Sequence, residues 1–299
     1  MRGGIALNIS PRTDATTTLT DGRRLGFAQM GDPRGQPLLY FHGFPGSRLE
    51  ALLAHVAARR QGVRLIGVDR PGYGLSDPRP GRTLTDWPRD VTELASHLGL
   101  ARFGVVGVSG GGPYALACAH EIPGRLTSVA VICGLGPLAP SEAEGDMGWL
   151  VRLGLRCYRR APRWAGRAYG VGGLLIRAWP ELLVGRLASA TSPPHRRALA
   201  APKVRRILAR SFREAHRQGA TGPLDDLSLY ARPWDFRPAD IRAPVRLWHG
   251  ERDGIVPVSM GRALARAIPG CRATFHPDEG HFSLLAAHAE VILAEVRDA

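Results

Sequence analysis

The five residues Gly107-Val108-Ser109-Gly110-Gly111 limit the possible folds of this chain more than any other stretch. An apolar, β-branched run from Arg102 to Val108 precedes the serine, and Gly112, Pro113 and a set of helix formers follow the pentapeptide. The first part reads as a buried strand and the second as the start of a helix, with proline near the first turn. A strand that reverses sharply into a helix brings the residues two before and two after the turn together. Gly107 and Gly111 have no Cβ to collide there. Ser109 is then held in a strained backbone with its hydroxyl pushed out beyond the sheet edge, the arrangement of a nucleophile elbow. The helix behind it offers free N–H groups and the positive end of its dipole to a developing anion. The bland alternative is a Gly-rich turn with a bystander serine, so the motif gains meaning only through its partners.

A serine hydroxyl is a weak nucleophile until a base takes its proton, and the base needs an acid to orient it. Asp253, in Gly250-Glu-Arg-Asp-Gly, falls just past a predicted strand end, and His281, in Glu279-Gly-His-Phe, falls between the last strand and the last helix. Ser109, Asp253 and His281 thus follow the chain order expected with such an elbow. Glu251 competes with Asp253 but would point to the opposite side of an extended segment. Asp278 and Glu279 are expected to shape the loop of His281, and His42, His249 and His276 to be packed or hydrogen-bonded structural histidines. Hydrolysis also needs two N–H groups aimed at the developing oxyanion, each worth roughly 3–4 kcal/mol. Gly110 supplies one. The loop after the Tyr40-containing strand supplies the other, from Phe44 or its rival Gly43, since Pro45 has no N–H.

Strands at 37–41, 63–68, 102–108 and 126–132 alternate with helices at 48–61, 83–99 and 111–120. This pattern predicts a mostly parallel, doubly wound α/β sheet, with ligands at the carboxyl ends of its strands. His42, Asp69 and Ser109 all fall at such ends. Before the sheet, residues 1–15 read as a loose arm, and 16–30 as an antiparallel hairpin turned by Asp21-Gly22. From Pro137 the alternation stops. Residues 137–225 read as an inserted helical cap, broken at prolines 140, 162, 180, 193–194, 202 and 223. The core is therefore expected at 16–136 and 226–299, completed by strands at 244–249 and 272–276 and helices at 259–268 and 282–297.

The chain carries a net charge of +14, with Lys203 its one lysine. Without a basic tail, zinc-finger spacing or an RNA-binding aromatic motif, this does not point to specific nucleic-acid binding. No apolar run reaches the ~18 residues of a membrane span, and residues 1–10 lack the apolar core of a secretory signal, so a cytoplasmic protein is expected. Cys118, Cys133, Cys157 and Cys271 are scattered and read as buried free thiols, with neither disulfide nor metal site expected. Residues 137–230 hold 16 basic and 7 acidic residues. Around 149–163, Arg152, Arg156, Arg159, Arg160 and Arg163 recur at helical spacing, opposite Leu150, Leu153 and Cys157. The favoured reading is a solvated face; the alternatives are a lid that draws in anionic substrates or one that rests on an acidic surface. Residues 171–176 and 179–187 are more apolar, and suit either a pocket lining or the cap's own core.

His42-Gly-Phe-Pro45, Asp69-Arg-Pro-Gly-Tyr-Gly-Leu-Ser-Asp77, the elbow at Ser109, Gly250-Glu-Arg-Asp253 and Gly280-His281 together resemble the α/β-hydrolase superfamily, in its capped, esterase-like branch. The resemblance covers the core and leaves the cap unmatched. It implies a cofactor-free serine hydrolase of small carboxylic esters, lactones or thioesters, working through an acyl-enzyme. Ser109 departs from the dehalogenases and epoxide hydrolases of this fold, which place aspartate there. The basic cap departs from the acidic caps of proline iminopeptidases. A hydroxynitrile lyase would call for a cap lysine, and Lys203 is the one candidate. The alternatives are carbon–carbon bond hydrolysis, peptidase or perhydrolase chemistry on the same three residues, or a ligand-binding protein that keeps the fold without turnover. The oligomeric state is not legible.

Overall fold

Strands buried on both faces have no polar side to show, which is why the central parallel strands of this protein read as continuous apolar runs. A computed structural model describes residues 10–137, 146, 149–190 and 193–299. Its strands are β1 (Arg12–Thr18), β2 (Arg24–Gly31), β3 (Gln36–Phe41), β4 (Val63–Val68), β5 (Phe103–Val108), β6 (Leu126–Ile132), β7 (Val245–Gly250) and β8 (Arg272–His276). They form one sheet in the order β1-β2-β4-β3-β5-β6-β7-β8. β1 and β2 pair antiparallel, as do β2 and β4, and every later pairing is parallel.

Successive side chains of a strand point to opposite faces, so each face builds its own core. Leu39 and Phe41 of β3 pack with Trp87, Val91 and Leu94 of α2 (Trp87–His97) and Leu116 of α3 (Gly112–Glu121). Leu38 and Tyr40 pack on the other face with Ala57 and Ala58 of α1 (His55–Arg60) and Leu284 and Ile292 of α11 (His281–Arg297). α10 (Val258–Ala267) joins β7 to β8.

Between β6 and β7 lie α4 (Trp149–Arg160), α5 (Pro162–Ala178), α6 (Pro180–Ala190), α7 (Pro193–Ala200), α8 (Pro202–Ala215) and α9 (Thr221–Tyr230). Four of the expected helix breaks prove to be helix starts. Pro162, Pro180, Pro193 and Pro202 are first residues of their helices, where the missing N–H has no partner to lose. Pro223 sits in the first turn of α9, and Pro140 lies outside the described residues. Val184, Leu199, Leu208 and Phe212 form a third small core, against which Leu53 and Phe282 of the main body pack.

The structure corrects several boundaries. The hairpin begins at Arg12, not Thr16, because Ala15 pairs with Phe27 and is buried. Its turn is not a two-residue one. Leu19 N–H donates to Arg23 O, and among the three loop residues only Gly22 (φ +85°) has positive φ; this is the three-residue hairpin loop that ends in a left-handed glycine. The expected helix over 48–61 is a tight 3-10 stretch, Arg48–Ala54, followed by α1. α2 starts at Trp87 rather than Thr83. Asp86 accepts from the N–H of Thr83 and Asp235 from those of Leu84 and Thr85, which holds 83–86 as a side-chain-bonded turn. Finally, α9 straddles the boundary expected at 225–226.

Candidate active site

β5 delivers Ser109 into a 3-10 turn, Ser109–Gly111, that runs directly into α3. Ser109 has φ +55°, one of two non-glycine residues with positive φ among those described. A residue with a Cβ is held there only when its surroundings over-determine it. A Cβ on Gly107 would lie 2.3 Å from Gly111 O, as the turn demands. A Cβ on Gly111 would instead strike Phe41 O at 2.1 Å, so that glycine is required by the neighbouring strand β3. From beyond β6, Leu135 N–H donates to Ser109 O at 3.0 Å.

Asp253 follows β7, and His281 is the first residue of α11. Their side chains meet at 2.7 Å, His281 Nδ1–H donating to Asp253 Oδ2. The other oxygen of Asp253 accepts the N–H groups of Ile255 (2.8 Å) and Val256 (2.9 Å), which fix the carboxylate's orientation. Burial alone would raise Asp253, but His281 outweighs it and the carboxyl titrates below its ordinary range. For His281 burial works downward, and the charge and hydrogen bond of Asp253 carry the imidazole above its ordinary value. With Nδ1 committed to Asp253, Nε2 is the basic nitrogen of the ring.

The rivals are placed elsewhere. Glu251 is exposed and pairs with Arg262, Asp278 pairs with Arg252, and Glu279 with His288. His249 is buried beside Asp253, its Nε2–H donating to Val256 O at 2.9 Å. His42 is buried, donating from Nδ1 to Gly43 O and accepting from Arg70 N–H at Nε2. His276 is half-buried and faces His288. Asp69 binds the buried Arg48 side chain at 2.7 Å and the N–H of Leu75 at 2.9 Å, a structural role. All four cysteines are free. Cys118 and Cys133 are buried as expected, whereas Cys157 is exposed and Cys271 half-buried. Cys133, Asp253 and His281 present possible metal-ligand atoms within 4.8 Å of one another. Burial pushes the Cys133 thiol up, and the neighbouring Asp253 carboxylate adds to that.

Phe44 and Gly110 abut: a Cβ on Gly110 would lie 2.8 Å from that of Phe44. Gly110 stands in a first helical turn, where N–H groups have no intrahelical acceptor. Glu50, unforeseen in the sequence, braces the loop between. Its carboxylate accepts Gly43 N–H at 3.0 and 3.2 Å and Tyr40 O–H at 2.9 Å, while burial raises its carboxyl. Ser47-Arg-Leu-Glu50 has the spacing of a helix capping box, which disguises this role. Ser47 Oγ does accept from Leu49 N–H, but Ser47 N–H donates to Ser211 Oγ and Glu50 turns inward.

A cavity of about 340 Å³ lies at this end of the sheet. Ser109, His281, Phe44 and Glu50 line it from the strand ends, and Tyr169, Ile176, Leu183, Leu208 and Phe212 from α5, α6 and α8. The two apolar stretches are therefore divided: Ile176 and Leu183 face the cavity, whereas Val171, Leu174, Leu175, Trp179 and Leu182 are exposed. On α4, Leu153 and Cys157, expected on the apolar side, are also exposed. The side chain of Leu150 lies outside the described residues.

Asp226 of α9 is the second residue missed. It is wholly buried between Arg70 and Arg82 and accepts the hydroxyls of Tyr73 (2.8 Å) and Tyr114. Burial would raise its carboxyl, but the two guanidinium groups hold it well below the ordinary carboxylate range. One turn on, Tyr230 O–H donates to Gly110 O at 2.7 Å, so the network reaches the elbow. No spacing rule joins residues this far apart in the chain.

Residues 36–287 match the family model for the alpha/beta hydrolase fold, and the chain belongs to that family. It is 25% identical over 278 residues to the uncharacterized hydrolase YcgS of Bacillus subtilis, covering 91% of this chain and 93% of that one. It is 26% identical to a probable proline iminopeptidase of Streptomyces coelicolor, covering 88% and 80%. A thermophilic esterase from Thermogutta terrifontis superposes with a TM-score of 0.65 at 25% identity, over 96% and 97% of the two chains. The chain is thus an α/β hydrolase. Among the described residues, no helix is long and apolar enough to cross a membrane.

Proposed function

We propose that this chain is a serine hydrolase of small carboxylic esters, with lactones and thioesters as chemically equivalent substrates. Ser109 attacks the acyl carbonyl while His281 Nε2 takes its proton, and Asp253 holds the imidazole in the required tautomer and stabilises its cation. The N–H groups of Phe44 and Gly110 receive the oxyanion. His281 then protonates the leaving alcohol, and water repeats the sequence on the acyl-enzyme. The helices between β6 and β7 act as a cap over the sheet and its flanking helices, a core that begins at β1. The observation that carries the reading is the 2.7 Å bond from His281 to Asp253, in a cavity that His281 shares with the strained Ser109.

Similarity to a probable proline iminopeptidase supports a second reading, aminopeptidase. Glu50 is a buried acid facing the cavity, but its oxygens already serve Gly43 and Tyr40. A cationic amine would also meet residues 137–230, which hold 16 basic and 7 acidic residues, and this favours the ester. The test is labelling by a fluorophosphonate probe together with turnover of p-nitrophenyl acetate and proline p-nitroanilide. Ser109→Ala should abolish labelling and lower ester turnover by about 10⁴-fold or more with its circular dichroism unchanged. A folded Ser109→Ala protein that keeps a tenth of the activity, by order of magnitude, would exclude Ser109 as nucleophile. Faster cleavage of the anilide than of the ester would favour the aminopeptidase.

A further inference from the structure

We infer that the outer face of α4–α6 docks on an anionic lipid bilayer. Trp164, Val171, Leu174, Leu175, Trp179 and Leu182 are each 53–71% exposed. Leu153 of α4 is 51% exposed as well, and outside α4–α6 the exposed large apolar side chains among the described residues are only Val56 (41%) and Val291 (57%). Positions 164, 171, 174 and 175 fall on one side of α5, because residues at i, i+7 and i+11 of a helix lie nearly in line. That side is not the one that packs: Ile176 lines the cavity, and Gly173 lies against His216. α5 is therefore apolar both inward and outward, and water is a poor solvent for the outer side.

The charge around this face is predominantly positive. Residues 149–190 contain eight arginines and a single acid, Glu181. Arg163, Arg167 and Arg177 are exposed on the same helix, and the Arg167 guanidinium stacks over the Trp164 ring at 5.1 Å. Tryptophan and aliphatic side chains rimmed by arginine are the composition of a helix that lies in the headgroup region of an anionic bilayer. A second copy of the chain fits less well. A two-fold contact sets the same patch against itself and would bring these arginines face to face. The inference is independent of the chemistry proposed for Ser109. It places the lipid on the outer side of the helices that roof the cavity, about one helix diameter, ~10 Å, from its lining.

The test is sedimentation of the purified full chain with vesicles of phosphatidylglycerol and phosphatidylcholine, or of phosphatidylcholine alone. Binding is expected to the anionic vesicles, about tenfold or more weaker to the neutral ones, and reduced by raised salt. Leu174→Ser/Leu175→Ser/Trp179→Ser should weaken it by about tenfold, as should Arg163→Glu/Arg167→Glu, whereas Val56→Ser should leave it unchanged. All of these positions are exposed, and thermal melts check that each variant is folded. No binding to anionic vesicles, or binding that survives both sets of substitutions, overturns the inference. So does a concentration-dependent dimer in sedimentation velocity that the triple substitution abolishes, since the face would then belong to a second copy.

Discussion

His281 is pulled two ways: burial disfavours its cation, and the Asp253 carboxylate at 2.7 Å favours it more strongly. If His281 is the base, it works only when neutral. With its pKa raised, the acidic limb of kcat/KM should lie above the 6.5 of a free imidazole, activity falling as pH drops through it. Asp253→Asn removes the favourable charge and leaves burial in control, so the limb should move to lower pH while the rate falls by about 10⁴-fold. Glu251→Gln, changing an exposed acid paired with Arg262, should alter neither. Rate profiles from pH ~5 to ~9 decide it, and equal small losses in both variants would assign the orienting role to another carboxylate. Glu50 offers a second test at this scale. Glu50→Ala strands the buried Gly43 N–H and Tyr40 O–H and should lower kcat by about 10–100-fold, an effect on geometry rather than on KM. Glu50→Gln keeps an acceptor and should recover most of that loss. If both variants cost the same, the charge rather than the hydrogen bonding of Glu50 is what matters.

Among the elements, α9 has the most specific anchorage. Its Asp226 is the shared counter-charge of two buried arginines that come from the loop after β4 and the approach to α2. Removing one partner of such a network leaves the others charged and dry, a loss of about 3–5 kcal/mol. Asp226→Ala should therefore lower stability by that amount in urea denaturation. It should also slow turnover, because Tyr230 behind Gly110 loses its neighbour. A stability within about 1 kcal/mol of wild type would mean that water reaches the arginines and that the network is not dry. α5 shows the opposite behaviour. Its apolar residues run round the helix, so periodicity could mark it as helical but not choose an inward side. Only the position of the cavity separates Ile176 from Leu174 and Leu175.

For the whole molecule, the sheet is where sequence and structure agree most closely. β3 to β7 lie within one or two residues of the apolar runs that mark them, because two-sided burial leaves no room for other residue types. β1 is the exception: only one of its seven residues is buried, so its polar sequence Arg-Thr-Asp-Ala-Thr-Thr-Thr hides the strand. The excess positive charge is likewise unevenly spread, concentrated between β6 and β7 and at odds there with the exposed apolar side chains.

What the sequence determined by itself is local. Gly107 announces a turn that a Cβ would obstruct, and the apolar strand runs and the prolines that punctuate the helices are written in neighbouring residues. Tertiary structure alone decided which distant groups meet. Glu50 turning from its capping position to Gly43, Asp226 closing on Arg70 and Arg82, and the division of α5 and α6 between cavity and solvent all depend on contacts across the fold. No local spacing rule names these partners, and periodicity cannot choose the side, so only the packed sheet and helices bring them together.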